Sequence, residues 1–296
     1  MTSRFFSLIS VISIATAMLL ITSGIFAQDT DLSSITVTRL MDQPIIRPDL
    51  HPSIGQNIQG PSLIRVPDWV ADPLGKYYLY FADHKGRYIR LAYSDELTGP
   101  WKIHEAGSLP IEQSYFAATP PPITDEQLAE LTAARSGVSG LGSPVSHDLA
   151  LEFTMPHIAS PDVHVDNETQ NIIIFYHVLE GPAFQHSRVA TSKNGIDFTA
   201  REENLGRSYF RVFNYNNMTY ALAMPGQFYR SEDGFTNFEE GPRLFGPNMR
   251  HSAVIVRDDH LYVFWTRVGD APESILLSTI DLRSDWMAWN LSLIHI

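Results

Sequence analysis

Apolar and polar positions alternate along most of this chain, and turn residues cut the alternation into short runs. Ser160-Pro161-Asp162-Val163-His164-Val165-Asp166 is a strand with alternating faces, and a polar turn leads to Asn171-Ile172-Ile173-Ile174-Phe175-Tyr176-His177, a β-rich strand ending on histidine. The same cassette recurs. An earlier copy runs Pro61–Val66, Lys76–Phe81, Tyr88–Ser94, a turn through Gly99-Pro100, then Trp101-Lys102-Ile103. The copy at Pro161 continues through Ser187–Ser192 and the turn Lys193-Asn194-Gly195 to Phe198. A third runs Tyr209–Phe213, Met218–Leu222, Gln227–Ser231, Glu232-Asp233-Gly234 and Phe238. The fourth runs Ser252–Val256, His260–Trp265 and Ser274–Ile280, with its last strand expected at Trp286 or Trp289.

The serines closing the third strands, Ser192, Ser231 and Ser278, lie 39 and 47 residues apart. Four short strands at such a period predict an all-β fold, a β-propeller of four-stranded antiparallel blades. Ser94 and Ser192 are 98 residues apart, so an insertion, about 110–156, separates the first two blades. Within it Thr124-Asp125-Glu126-Gln127 is a capping box opening a helix, with Leu128 and Leu131 at helical spacing. A propeller closes by pairing its first and last blades, so four cassettes predict a fifth blade beyond them. The expectation is a single propeller domain over 28–290, in which an extended segment at Ile35–Thr38 precedes the first cassette. Leu291–Ile296 follows without turn chemistry and reads as the translation of a transposon-end sequencing adapter, so native sequence is expected to stop near Asn290.

Residues 1–27 read as a secretory signal: Arg4, an apolar run from Phe5 to Leu20, then small residues to Ala27. Ser7, Ser10, Ser13 and Thr16 interrupt the run and argue against a membrane anchor. An exported, periplasmic or extracellular monomer is expected, with no membrane contact after cleavage. The chain has no cysteine, which removes disulfides, cysteine–zinc sites and thiol nucleophiles. Its 33 acidic against 21 basic residues give a net charge of −12, which argues against nucleic acid as a partner.

Antiparallel pairing brings the start of each inner strand and the end of the next strand to one rim of the channel. That places Gln59 with His84, Asp162 with His177, Tyr209 and Arg211 with Met224, and Arg250 and His251 with Arg267. His164 shares a face with Asp162. Asp162, His84, His177 and His251 are the candidate catalytic groups, as carboxylate or neutral-pH proton carriers. Arg211, Arg250, Arg267, Tyr209, Gln59 and His164 are the candidate substrate contacts, and the arginines suit a carboxylate or sulfate. No cofactor or metal motif is present; a structural ion in the channel stays open.

Prolines opening inner strands, aromatic second strands and Ser-x-Asn/Asp-Gly-x-x-Phe turns resemble the five-bladed propellers of the family 43 and family 32 glycoside hydrolases. The resemblance covers about residues 35–290. It implies an aspartate base or nucleophile opening the first inner strand, a second aspartate that orients it, and a glutamate acid. Ser160-Pro161-Asp162-Val163 is similar to the second aspartate's motif. Gln59-Gly60-Pro61-Ser62 holds no aspartate and Gly206-Arg207-Ser208-Tyr209-Phe210 no glutamate. The chain is thus expected to act as a glycosidase on a polysaccharide or oligosaccharide, uronate or sulfated. A non-catalytic carbohydrate-binding propeller and a polysaccharide lyase using His and Tyr are the alternatives.

Overall fold

The structure is a computed structural model that describes residues 36–136 and 148–294. The expected signal at 1–27 and the middle of the insertion lie outside the described residues. Four antiparallel meanders form a four-bladed propeller. Blade one is β1 (Ile58–Arg65), β2 (Tyr77–Asp83), β3 (Tyr88–Ser94) and β4 (Lys102–Pro110). Two helices follow, α1 (Asp125–Ser136) and α2 (Leu149–Thr154). Blade two is β5 (Ile158–Asp166), β6 (Asn171–Gly181), β7 (Phe184–Ser192) and β8 (Thr199–Ala200), with β9 (Gly206–Arg207) added beside β7. Blade three is β10 (Arg211–Tyr215), β11 (Met218–Ala223), β12 (Gln227–Ser231) and β13 (Glu239–Arg243). Blade four is β14 (Met249–Arg257), β15 (His260–Arg267), β16 (Leu276–Asp281) and β17 (Ser292–Ile294).

The apolar run in β6 follows from burial on both faces. Ile172, Ile174 and Tyr176 join Tyr78, Tyr80 and Leu91 of blade one, whereas Phe175, between them, joins Phe210, Val212 and Tyr229 of blade three. Phe213, Tyr220 and Phe228 in turn pack against Leu261, Val263 and Trp265 of blade four. The outer face of blade one is covered by its own N-terminal segment, whose Ile54 is fully buried with Phe81 and Trp101. Among the described residues nothing covers blade four in this way, and Ile255 and Phe264 are exposed on it.

One expectation needs correcting. The last strand of blade four is not at the tryptophans: Trp286 lies in a one-turn 3-10 helix, and β17 forms the edge. Trp286 and Trp289 are instead buried against Tyr220, with ring centroids 6.0 and 4.9 Å away. Gly241 makes the room, since a Cβ there would sit 2.1 Å from the Trp286 ring. In the insertion, Thr124 and Gln127 cap each other: the Thr124 N–H donates to Gln127 Oε1 (3.0 Å) and the Gln127 N–H to Thr124 Oγ1 (3.2 Å).

Candidate active site

Each inner strand begins with one residue in the left-handed region: Gly60 (φ 60°), Ser160 (52°), Tyr209 (67°) and His251 (43°). Each marks a bulge. The ladder register breaks between Gln59 and Ser62, Ala159 and Asp162, and Arg250 and Ser252. In blade three Ser208 and Arg211 face Met224 and Leu222, a step of three residues against two. Only glycine adopts this conformation freely, and a serine, tyrosine and histidine held there cost roughly 1–2 kcal/mol each. In blade one the close approach of β5 also requires glycine, because a Cβ on Gly60 would lie 2.9 Å from Ser160 Cα.

The bulges gather a row of rings at one end of the channel. His157 meets His177 edge-on (5.9 Å), His177 stacks on Tyr209 (4.3 Å), and Tyr209 meets His251 edge-on (6.1 Å). Antiparallel pairing sets His177 opposite Ala159, beside the blade-two bulge. Burial holds all four rim histidines neutral. His177 is pushed well below the usual imidazole range by burial and by the charges of His157, Arg211 and Lys85. His157 is lowered to about 4 by burial and then Lys85. His84 and His251 are lowered by burial, with Lys85 beside the first and Arg250 beside the second. Arg250 Nη2 donates to His251 Nε2 at 2.7 Å, which keeps that nitrogen unprotonated. Tyr209 is raised above the ordinary phenol value by burial, against the pull of Ser160, Arg250 and Arg211.

A carboxylate that the repeat pattern did not reveal stands beside this row. Glu152 is carried by α2 of the insertion, capped by Asp148, whose Oδ1 accepts from the Leu151 N–H (3.2 Å). Lys85 Nζ donates to Glu152 O (2.9 Å) and lies 3.8 Å from its Oε1, with both side chains under a tenth exposed. Among the described residues, Glu152 Oε2 and His177 Nδ1 are buried polar atoms with no hydrogen-bond partner. Glu152 and His157 precede the first alternating residue of β5, so strand periodicity carries no signal for them.

Asp162 and His164 lie deeper. Two residues beyond each bulge a side chain reaches the neighbouring inner strand: the Val163 N–H donates to Ser62 Oγ (2.9 Å) and the Val212 N–H to Asp162 Oδ2 (2.7 Å). Arg211 Nε donates to Ser252 O (2.7 Å) and Nη1 to Ser160 O and Pro161 O (3.2 and 3.1 Å). Asp162 Oδ2 also meets His164 Nε2 at 2.8 Å. Burial alone would raise Asp162, but His164, Arg211 and the Val212 N–H outweigh it and lower it; Asp162 in turn outweighs burial at His164 and raises it. The structure therefore gathers His177, Tyr209, Arg250 and His251 with His157, within the field of His84, Lys85 and Glu152. Asp162, His164 and Arg211 act as ties between inner strands. Gln59 is half-buried opposite Ala82, and Arg267 lies over the Trp265 ring at 5.5 Å. Among the described residues no cluster of three His, Asp or Glu groups is placed to hold a metal ion.

No family model matches the chain. It is 30% identical over 259 residues to an uncharacterized protein of Acanthamoeba polyphaga mimivirus, a match covering 79% of this chain and 65% of that protein's length. Among solved structures it is similar to a family 43 α-L-arabinofuranosidase from Clostridium thermocellum, at TM-score 0.52 and 14% identity over 81% of this chain and 74% of that one. An endo-1,4-β-xylanase from Bacteroides thetaiotaomicron matches at TM-score 0.50 and 12% identity, over 81% and 73%. An exo-β-1,3-galactanase from Phanerochaete chrysosporium bound to galactose matches at TM-score 0.50 and 12% identity, over 81% and 50%. With four meanders around one channel and these likenesses together, the chain has the propeller fold of the family 43 glycoside hydrolases.

Proposed function

We propose that the chain binds a polysaccharide fragment at the bulged rim and cleaves it by acid/base chemistry. The observation that carries this is the pairing of strain with unmet polar atoms. Ser160, Tyr209 and His251 are held in the left-handed region at one end of the channel, where His177 Nδ1 and Glu152 Oε2 are buried and, among the described residues, unpartnered. Glycosidic cleavage needs a proton for the leaving oxygen and a base or nucleophile on the other side of the sugar. Glu152 supplies a carboxylate that the repeats lack. Glu152 gives a proton to the leaving oxygen, and a neutral imidazole, His84, His177 or His251, takes one from the water whose oxygen bonds to the sugar carbon as the glycosidic bond breaks. Arg250 and Arg267, with Tyr209 and Gln59, hold an anionic sugar, uronate or sulfated, while Asp162 acts with His164 and Arg211 to position the inner strands. The protein works outside the cytoplasm as a monomer, and a fifth blade stands between blade four and blade one.

A second reading, elimination beside a uronate, is favoured by the His177–Tyr209 stack at 4.3 Å. Incubation with xylan, arabinan, β-1,3-galactan and polygalacturonate separates the readings. New reducing ends without ultraviolet absorbance mark hydrolysis, absorbance from a new double bond marks a lyase, and binding without either marks a binding module. Loss of turnover in both Glu152→Gln and His177→Ala is the expected result, and full turnover in both would overturn the assignment.

A further inference from the structure

A second concave surface adjoins the rim. The β6–β7 hairpin projects Phe184 into solvent, 55% exposed, immediately after Ala183 in the left-handed region (φ 57°). The hairpin is pinned: the Ala183 N–H donates to Phe153 O of α2 (2.8 Å), and His186 packs edge-on against the Phe184 ring at 4.3 Å. His186 is itself fixed by Glu180 and Asn204. Below the ring lies a cavity of about 620 Å3 between blades two and three, with Arg207, Tyr229 and Glu240 on its wall. Glu240 Oε2 is 3.3 Å from the Tyr229 hydroxyl.

The wall of the cavity touches residues of the rim. Gln185, on its wall, meets His157 Nε2 at 3.1 Å, and His157 stands edge-on to His177. Ser208 and Met224, which flank the Tyr209 bulge, are also on its wall. A rigid exposed aromatic above hydrogen-bonding side chains, with one cation balanced by one carboxylate, suits a ring with an apolar face and polar edges and no net charge. We infer that this cavity is a second saccharide subsite, holding an uncharged sugar ring of the oligosaccharide whose neighbouring ring occupies the rim. The inference rests on the reading of the rim as a carbohydrate site.

Isothermal titration with xylo-oligosaccharides and β-1,3-galacto-oligosaccharides of increasing length, each ending in one uronate ring for the rim, tests it. For the wild-type protein, affinity for one series rises at least about tenfold from the single ring to the longer members. Phe184→Ala removes that gain and leaves single-ring affinity unchanged, and Phe184→Tyr retains the gain. A Phe184→Ala protein with undiminished length dependence overturns the subsite, as does wild-type affinity that ignores length. His177→Ala reports the rim separately. If it leaves all binding intact while Phe184→Ala abolishes the length effect, the subsite stands and the rim reading falls. Absence of binding by the wild-type protein to both series overturns the subsite for these sugars, while turnover of polygalacturonate would still leave the rim reading standing.

Discussion

His157 and His177 bind no proton near neutral pH in the folded chain, and this fixes how stability responds to acid. Unfolded histidine titrates near 6.5, so between that value and the lowered folded ones the unfolded chain binds more protons, and stability falls as pH falls. For His157, lowered to about 4 and 1% exposed, the loss at pH 5 relative to pH 7 is about 2 kcal/mol. Urea melts of His157→Gln at the two pH values are expected to show a drop smaller by about that amount. His164 has the opposite sign. Its raised value adds stability below its ordinary pKa that fades as pH rises through the folded one, whereas the lowered Asp162 adds stability above its ordinary pKa that fades in stronger acid. The pair therefore contributes most between the ordinary values of the two groups. Removing the buried carboxylate leaves Arg211 and His164 uncompensated, so Asp162→Ala costs about 3–5 kcal/mol in a denaturant titration, and Asp162→Asn costs less because its carbonyl still accepts from Val212. The positions of Asp162, His84, His177 and His251 were legible in the sequence as strand starts and ends, whereas that of His157, ahead of β5, was not. Glu152 was not, because helix α2 lies outside the repeat and only tertiary packing brings it to Lys85.

At the level of the strands, the bulge is the repeated unit. Gly60→Ala places a Cβ 2.9 Å from Ser160 Cα in a left-handed residue and is expected to cost more than about 1 kcal/mol. Ser160→Gly relieves the same strain and changes stability by no worse than zero, up to a gain of about 1 kcal/mol, as read from the thermal midpoint of each variant. The strands themselves were readable from alternation, and the turn serines marked their ends. Ser192 Oγ accepts from the Gly195 N–H (2.8 Å) and Ser231 Oγ from the Gly234 N–H (3.1 Å), which is why serine recurs there. The tryptophans misled for a physical reason. An aromatic at the expected spacing marks burial, and Trp286 and Trp289 achieve it from an irregular segment by filling space that Gly241 leaves open.

In the propeller as a whole, each sheet is stabilised by its neighbours, and among the described residues blade four packs on blade three alone, the face proposed for a fifth blade being open. Ile255 and Phe264 stay exposed there, in a protein whose net charge of −12 opposes self-association. Raising salt screens that repulsion without weakening the apolar contact. Light scattering of the chain is therefore expected to show association that grows with ionic strength, and a double variant, Ile255→Lys with Phe264→Lys, is expected to suppress it. The sequence announced the four blades by their period, but which faces would be covered depends on packing between segments far apart in the chain. The cover over blade one, with Ile54 fully buried, comes from residues that show no repeat at all.

Arg211 touches backbone carbonyls of β5 and β14 from its own place at the head of β10. None of those contacts can form until three separate sheets have been built and brought together, so the guanidinium is a latch that closes late in folding. Its loss is felt on the way out more than on the way in: Arg211→Lys is expected to speed unfolding in proportion to the stability lost while leaving the refolding rate nearly unchanged. Where residence time in the native state matters more than its formation rate, one buried side chain that ties three sheets together lengthens that time.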